Sequence, residues 1–242
     1  MNIRIFEHED DLNAAGAGII ASLLQTKPRA TLGLATGSSP VGIYRHLTAM
    51  YRRDLISFAQ VSTVNLDEYV GLSSDHPESY RSFMNKHLFD EVNIPIANTR
   101  VPNGNAPDLQ AECAAYDRLI DDRGPVDLQL LGIGHNGHIG FNEPAESLIG
   151  GTHVVELDEQ TRTANARFFD SIDDVPRQAI TMGVASIMKA RQILLIARGA
   201  DKADIIRRAF TGPITTACPA SLLQCHPYVV VLLDREAGSQ LP

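Results

Sequence analysis

Residues 130 to 144 read LLGIGHNGHIGFNEP, with two histidines, two asparagines and a glutamate set among glycines directly behind strand-forming aliphatics. A buried strand end needs one turn residue, so this density asks for a chemical reason. His138 and Glu143 are separated only by IGFN. A loop that turns Glu143 back onto one imidazole nitrogen fixes tautomer and orientation, and leaves the other nitrogen for acid–base work. Gly132, Gly134 and Gly137 permit positive φ and close backbone approach, and they can aim amide N–H groups at a ligand. A metal reading would take His135 and His138. HxxH with one glutamate, on a Gly-rich loop, lacks a recognised zinc helix pattern, so no metal is expected.

Two further stretches carry chemistry. ATGSSPVGIY places Gly37, Ser38 and Ser39 between a strand and a helix, where backbone N–H groups and hydroxyls form a ready anion site. The competing reading is that Ser38 or Ser39 only caps the helix, with Pro40 in its first turn. Neither GxxxxGK[ST] nor GxGxxG is present, so no nucleotide is implied. NLDEYVG puts Asp67 and Glu68 where a strand leaves its sheet. Neighbours on a strand point to opposite faces, so at most one carboxylate faces a crevice there. That one is either a general base or a turn acceptor. Arg167 in TRTANARFF and Lys202 in ARGADKADII are candidate anion-binding cations. A lysine in the first turn of a helix opposes the helix dipole, which points to an anionic partner.

The elements that must position these residues follow from hydrophobic runs and their spacing. NIRIF, TLGLA, VSTVNL, VDLQLLGI, HVVEL, AITMG, QILLIA and YVVVLL read as strands. Helical patterns run to about Leu24, from Val41 to Asp54, from Glu78 to Val92, from about Leu109 to Arg123, and through DEQTRTANARFF, VASIMKA and DKADIIRRAF. Alternation of this kind predicts an α/β fold, an open, mostly parallel sheet with helices on both faces. In such sheets ligands bind outside the carboxyl ends of the strands, and ATGSSP, DEY and GHNGH all fall there. With no linker or repeat, residues 1–242 read as one domain.

Composition narrows the function. An apolar fraction of 44% marks an ordinary globular chain, and a formal net charge of −8 disfavours nucleic acid or an anionic membrane as partner. Cys113, Cys218 and Cys225 fit neither a disulfide framework nor a zinc pair. No run approaches a membrane span and MNIRIFEHEDDL lacks the regions of a signal peptide, so a cytoplasmic location is expected.

NLDEYVGL, HPESYRSFM, GIGHNGHIGFNEPA, TRTANARFFD and SLLQCHP together resemble the glucosamine-6-phosphate deaminase family, over about residues 28 to 234. The resemblance implies a Rossmann-like α/β sandwich without cofactor or catalytic metal. It also implies conversion of D-glucosamine 6-phosphate and water to D-fructose 6-phosphate and ammonia in amino-sugar catabolism. It assigns Asp67 as the base moving a proton between C2 and C1 through an enolamine, and His138 as the group that protonates the ring oxygen. Glu143 becomes the carboxylate orienting that histidine, and Gly37, Ser38, Ser39, Arg167 and Lys202 the phosphate-binding set.

The chain departs from the family pattern in two places. Asn136 stands where many members carry an aspartate supporting the histidine; an amide holds an imidazole by hydrogen bonding but not by charge, which leaves Glu143 alone to stabilise an imidazolium. Some members are hexamers activated by N-acetylglucosamine 6-phosphate through basic residues beyond NEPA, whereas this chain has His153 and Val155 there, so little activation is expected. Oligomeric state is not read from the sequence. A 6-phosphogluconolactonase is the nearest alternative enzyme, although its loop typically continues differently from IGFNEP. A sugar-phosphate sensor domain is the alternative of another class, although no basic helix-turn-helix segment is present.

Overall fold

The structure, a computed structural model, describes residues 1–169 and 171–242. Asp170, the last residue of TRTANARFFD, lies outside them.

Seven parallel strands form the central sheet. In chain order they are β1 (Asn2–Phe6), β2 (Thr31–Leu34), β3 (Ser62–Asn65), β5 (Thr99–Arg100), β6 (Leu128–Leu131), β9 (Ile193–Ala197) and β10 (Val229–Asp234). Their spatial order is β1-β10-β9-β6-β2-β3-β5. Burial on both faces explains the unbroken aliphatic runs. In β9, Ile193 and Leu195 join one apolar cluster while Leu194 and Ile196 join the other, as side-chain alternation requires. One face is covered by α1 (Glu9–Thr26), α2 (Val41–Arg52) and α3 (Tyr80–His87), through residues such as Leu12, Ile20, Tyr44, Leu47 and Met84. The other is covered by α4 (Leu109–Arg123), α6 (Val184–Met188) and α7 (Ala203–Thr211), through Tyr116, Ile120, Ile187, Ile206 and Phe210.

The strand order reverses between β2 and β6, which are paired neighbours at the centre. From β2 the chain proceeds outward through β3 to β5, and from β6 it proceeds the opposite way through β9 and β10. This is the switch point at which connections diverge and leave a crevice above the carboxyl ends. ATGSSP follows β2 and GIGHNGH follows β6, so the two loops flank it.

The expected strands HVVEL and AITMG, with a short third strand directly after VSTVNL, do not belong to the parallel sheet. β4 (Asp67–Tyr69), β7 (His153–Glu156) and β8 (Gln178–Thr181) form a separate antiparallel sheet in the order β4-β8-β7, with Asp67 opposite Thr181. Leu66 joins the two sheets. Its N–H donates to Leu34 O in the large one (3.1 Å), and its carbonyl accepts from Met182 N beside the small one (2.6 Å). β5 was not expected, because two residues are too few to carry a pattern.

Helix boundaries differ from the expectation in several places; DKADIIRRAF, for one, begins in the 3₁₀ turn Ala200–Lys202 and continues as α7. The pattern read from Glu78 to Val92 resolves into α3 and a separate 3₁₀ turn, Phe89–Glu91. DEQTRTANARFF resolves into α5 (Glu159–Asn165) and the 3₁₀ turn Ala166–Phe168.

Candidate functional site

A pocket of about 300 Å³ opens at the β2/β6 crevice. Gly37, Ser38, Ser39, Asp67, Asn136, His138, Arg167 and Lys202 all line it, with Tyr80, Phe141, Thr161 and Asn165. Of the sequence-derived set only Glu143 is outside the wall. It lies behind His138.

The loop after β6 is built around the histidine. His138 Nδ1 and Glu143 Oε2 are 3.0 Å apart, and Glu143 Oε1 accepts from Thr161 Oγ1 at 2.7 Å. An N–H on Nδ1 that donates to the carboxylate leaves Nε2 as the nitrogen available to a ligand. Burial alone would raise the Glu143 carboxyl. The His138 hydrogen bond and charge, with the Thr161 and Asn136 hydrogen bonds, outweigh it and hold the group below its ordinary value.

Asn136 plays a different part from that expected. Its amide donates to Glu143 Oε2 and its Oδ1 accepts from the backbone N–H of His138 (3.1 Å). It therefore braces the carboxylate and the loop rather than the imidazole ring. His135 bonds Asp201 Oδ2 at the surface (2.7 Å) and His138 bonds Glu143, so the two histidines serve different carboxylates.

The loop glycines also act otherwise than expected. Gly134 N–H donates to His138 O (2.9 Å) and Gly137 N–H to Gly134 O (3.0 Å), so both amides close the turn instead of facing a ligand. What Gly134 supplies is space, since a Cβ there would stand 2.3 Å from His138 Nε2.

Asp67 and Glu68 separate as strand alternation demands. Asp67 faces the pocket and is 7% exposed. Glu68 turns away and accepts from the backbone N–H groups of Tyr69, Tyr80 and Arg81, each at 2.9 Å, which makes it an anchor for the start of α3. The turn-acceptor role thus falls to Glu68 and leaves Asp67 to the crevice. Burial first, and the Glu68 charge second, push the Asp67 carboxyl from 3.8 up to about 8. Gly140 keeps its approach open: at φ 58° it sits where a Cβ would come within 3.0 Å of Thr181 Oγ1 and 3.7 Å of Asp67 Oδ2.

The serines after β2 are not helix caps, because Pro40 holds the cap position of α2 and no side chain caps it. Ser38 Oγ is instead 3.5 Å from Arg167 Nη2, and Ser38 O accepts from Arg198 Nη2 at 2.9 Å. Gly37 at φ 82° bends this loop over the crevice. Lys202 is the cap residue of α7, not an interior one, and its Nζ donates to Ile133 O across the pocket floor (3.0 Å). Burial lowers its proton affinity; nearby Asp201 raises it and Arg167 lowers it further. Two cations and two hydroxyls lining one pocket suit an anion with several acceptor oxygens.

Thr161, Asn165, Tyr80 and Phe141 are among the lining residues the sequence left unassigned. Thr161 and Asn165 are one helical turn apart in TRTANAR, so their i, i+4 spacing was the available signal. Tyr80 and Phe141 stack at 6.2 Å between centroids and form an apolar wall with Tyr69, which no spacing rule announces.

Fold and pocket together define an α/β enzyme that takes an anionic small molecule at the switch point of a parallel sheet. A family model described as Glucosamine-6-phosphate isomerases/6-phosphogluconolactonase matches residues 7–231, and the chain belongs to that family. It is 53% identical over 233 residues to a glucosamine-6-phosphate deaminase of Geobacillus sp. (strain WCH70), covering 96% of this chain and 93% of that one. It is 50% identical over 241 residues to one from Clostridium perfringens (strain 13 / Type A), covering all of both. Among solved structures, a monomeric glucosamine-6-phosphate deaminase superposes with a TM-score of 0.97 at 48% identity, over 99% of this chain and 100% of that one. A 6-phosphogluconolactonase from Thermotoga maritima superposes with a TM-score of 0.77 at 18% identity, over 96% and 99%, and shares the fold.

Proposed function

We propose that the chain converts D-glucosamine 6-phosphate and water to D-fructose 6-phosphate and ammonia. The observation that carries this reading is that Asp67 and the His138–Glu143 pair line or back one pocket that Arg167, Lys202 and the Ser38–Ser39 loop also line. The order of steps follows from chemistry. The C2 proton is acidic only beside a C1 carbonyl, so His138 Nε2 first delivers a proton to the ring oxygen as the C1–O5 bond breaks and the C1 hydroxyl gives up its proton to water, which opens the sugar to the aldehyde. Asp67 then takes the C2 proton and the electron pair moves into an enolamine. Return of the proton to C1 leaves an imine at C2, whose hydrolysis by water yields the ketone and ammonia. The phosphate anchor holds C2 over the carboxylate through contacts remote from the reacting carbons.

The direct test is stoichiometric release of ammonia and fructose 6-phosphate from glucosamine 6-phosphate, with 6-phosphogluconolactone as the competing substrate. Turnover of the lactone alone would reverse the reading. We further read residues 1–242 as one domain acting in the cytoplasm in N-acetylglucosamine degradation. No helix among the described residues is long and apolar enough to cross a membrane, in keeping with that reading.

Lys202→Ala is expected to raise KM about 10–100-fold, the worth of one charge-assisted hydrogen bond, with kcat changed far less. Initial rates against sugar phosphate concentration decide it; a loss confined to kcat would remove Lys202 from the anion cradle. For the effector, His153 Nδ1 lies 2.9 Å from Gly151 O, and Val155 packs against the apolar cluster of Tyr69, Phe141, Leu157 and Ala179. The His153 ring is thus tied to the backbone, and Val155 carries no charge. Velocity curves are therefore expected to stay hyperbolic and unchanged on addition of N-acetylglucosamine 6-phosphate, and a sigmoidal curve straightened by that compound would contradict this.

A further inference from the structure

Glu143 must be aimed to be useful, and its two oxygens are held differently. Oε2 accepts from His138 Nδ1 and Asn136 Nδ2, both on its own loop. Oε1 accepts from Thr161 Oγ1 at 2.7 Å, a partner supplied by another element, α5. The last torsion of a glutamate is broad and twofold, so bonds to one oxygen leave the carboxylate plane free to swing. A donor on the second oxygen removes that freedom. Thr161 is 7% exposed, and its helix also places Asn165 Nδ2 on Tyr69 OH (2.9 Å) and leads into Arg167 beside Ser38.

We infer that Thr161 is a positioning residue for the acid–base pair: its hydroxyl fixes the plane of the Glu143 carboxylate against His138, and ties that alignment to the seating of α5. The hydroxyl is also one of the groups that keep the Glu143 carboxyl low. The titratable group packed against Glu143 is His138; Asn136 and Thr161 are neutral donors. The kinetic consequence rests on the deaminase reading, whereas the effect on Glu143 itself does not.

The test compares Thr161→Val, which keeps the shape and removes the hydroxyl, with Thr161→Ser, which keeps the hydroxyl. Thr161→Ala serves as a second hydroxyl-free variant. Titration of the Glu143 side-chain carboxyl carbon by NMR, in the protein without substrate, is expected to move up by about one pH unit in the valine and alanine variants and to stay in place in the serine variant. With glucosamine 6-phosphate, kcat is expected to fall on the order of tenfold or more in both hydroxyl-free variants while KM holds within about twofold, and the serine variant is expected to recover most of the rate. Unmoved Glu143 titration in the valine variant, or equal losses in valine and serine, overturns the inference. Failure of the wild-type chain to release ammonia would count against the function alone, because the NMR comparison still decides the role of Thr161.

Discussion

Asp67→Asn is expected to lower kcat by about 10²–10⁴-fold, the range lost with a positioned acid–base group, while leaving KM nearly unchanged. The same substitution is expected to stabilise the fold. Both effects come from one cause, the placement of a carboxylate where water hardly reaches it. Burial and the neighbouring Glu68 charge push its pKa up to about 8. A base must be ionised to accept a proton, so wild-type kcat/KM should rise with pH through about 8, once the ionisations of the substrate's own amine and phosphate are subtracted. In the enzyme–substrate complex the cationic C2 amine favours the carboxylate, so the corresponding limb of kcat should lie lower.

The sign for stability is the reverse. The folded site holds this proton more tightly than the unfolded chain does. The associated stability is complete below 3.8 and is lost as pH rises through about 8, at ~1.4 kcal/mol per pH unit within that window. An amide at position 67 has no such loss. The melting temperature of Asp67→Asn should therefore exceed that of the wild type by an amount that grows from mildly acidic to mildly alkaline pH. Near-normal turnover in the variant, or a stability difference independent of pH, would unseat Asp67 as the buried base.

The second large effect is expected from Glu143→Gln, with kcat reduced about 10²-fold or more. This substitution isolates charge. A glutamine can present its carbonyl to His138 Nδ1–H and Asn136 Nδ2, and its amide nitrogen to Thr161, whose hydroxyl can turn from donor to acceptor. The hydrogen-bond pattern survives and only the negative charge beside the imidazole is lost. Asn136 cannot replace it, being neutral and bonded to the carboxylate and the backbone instead of the ring. A drop of less than about tenfold would show that the imidazolium needs no carboxylate, and would return the orienting role to the loop itself.

Much of this site was legible in the sequence because local rules and chemistry agreed. The aliphatic runs of β6 and β9 announce strands buried on both faces, and strand ends of that kind are where loops gather ligands. The His138–Glu143 pair follows from spacing within a single loop. What remained hidden depends on partners far apart in sequence. HVVEL and AITMG read as strands, but alternation of side chains says nothing of direction, so their antiparallel pairing with each other, and that of β8 with Asp67–Tyr69, could not be read. The division between Asp67 and Glu68 was foreseeable, whereas two of the three amides that claim Glu68 come from α3, twelve and thirteen residues on. Glycines suggested an amide cradle because their permissive backbone is visible and their hydrogen-bond partners are not. Thr161 was missed for the same reason: a hydroxyl in a polar helix becomes informative only once a carboxylate is seen against it.

The joint at Leu66 has a consequence for what sugars this scaffold can be made to accept. The base rides on the small antiparallel sheet, and the histidine loop is stitched to that same sheet by Phe141 N–H on Thr181 Oγ1 (3.0 Å) and Asn142 Nδ2 on Met182 O (2.9 Å). The anion loops ride on the rim of the large one. Adding or deleting one residue at the joint would not slide the carboxylate along the ligand by a graded amount; it would turn it to the opposite side of its strand. The ruler between phosphate and reacting carbon is therefore rigid at its chemical end, and tailoring it to longer or shorter carbon chains has to proceed from the loops at the other.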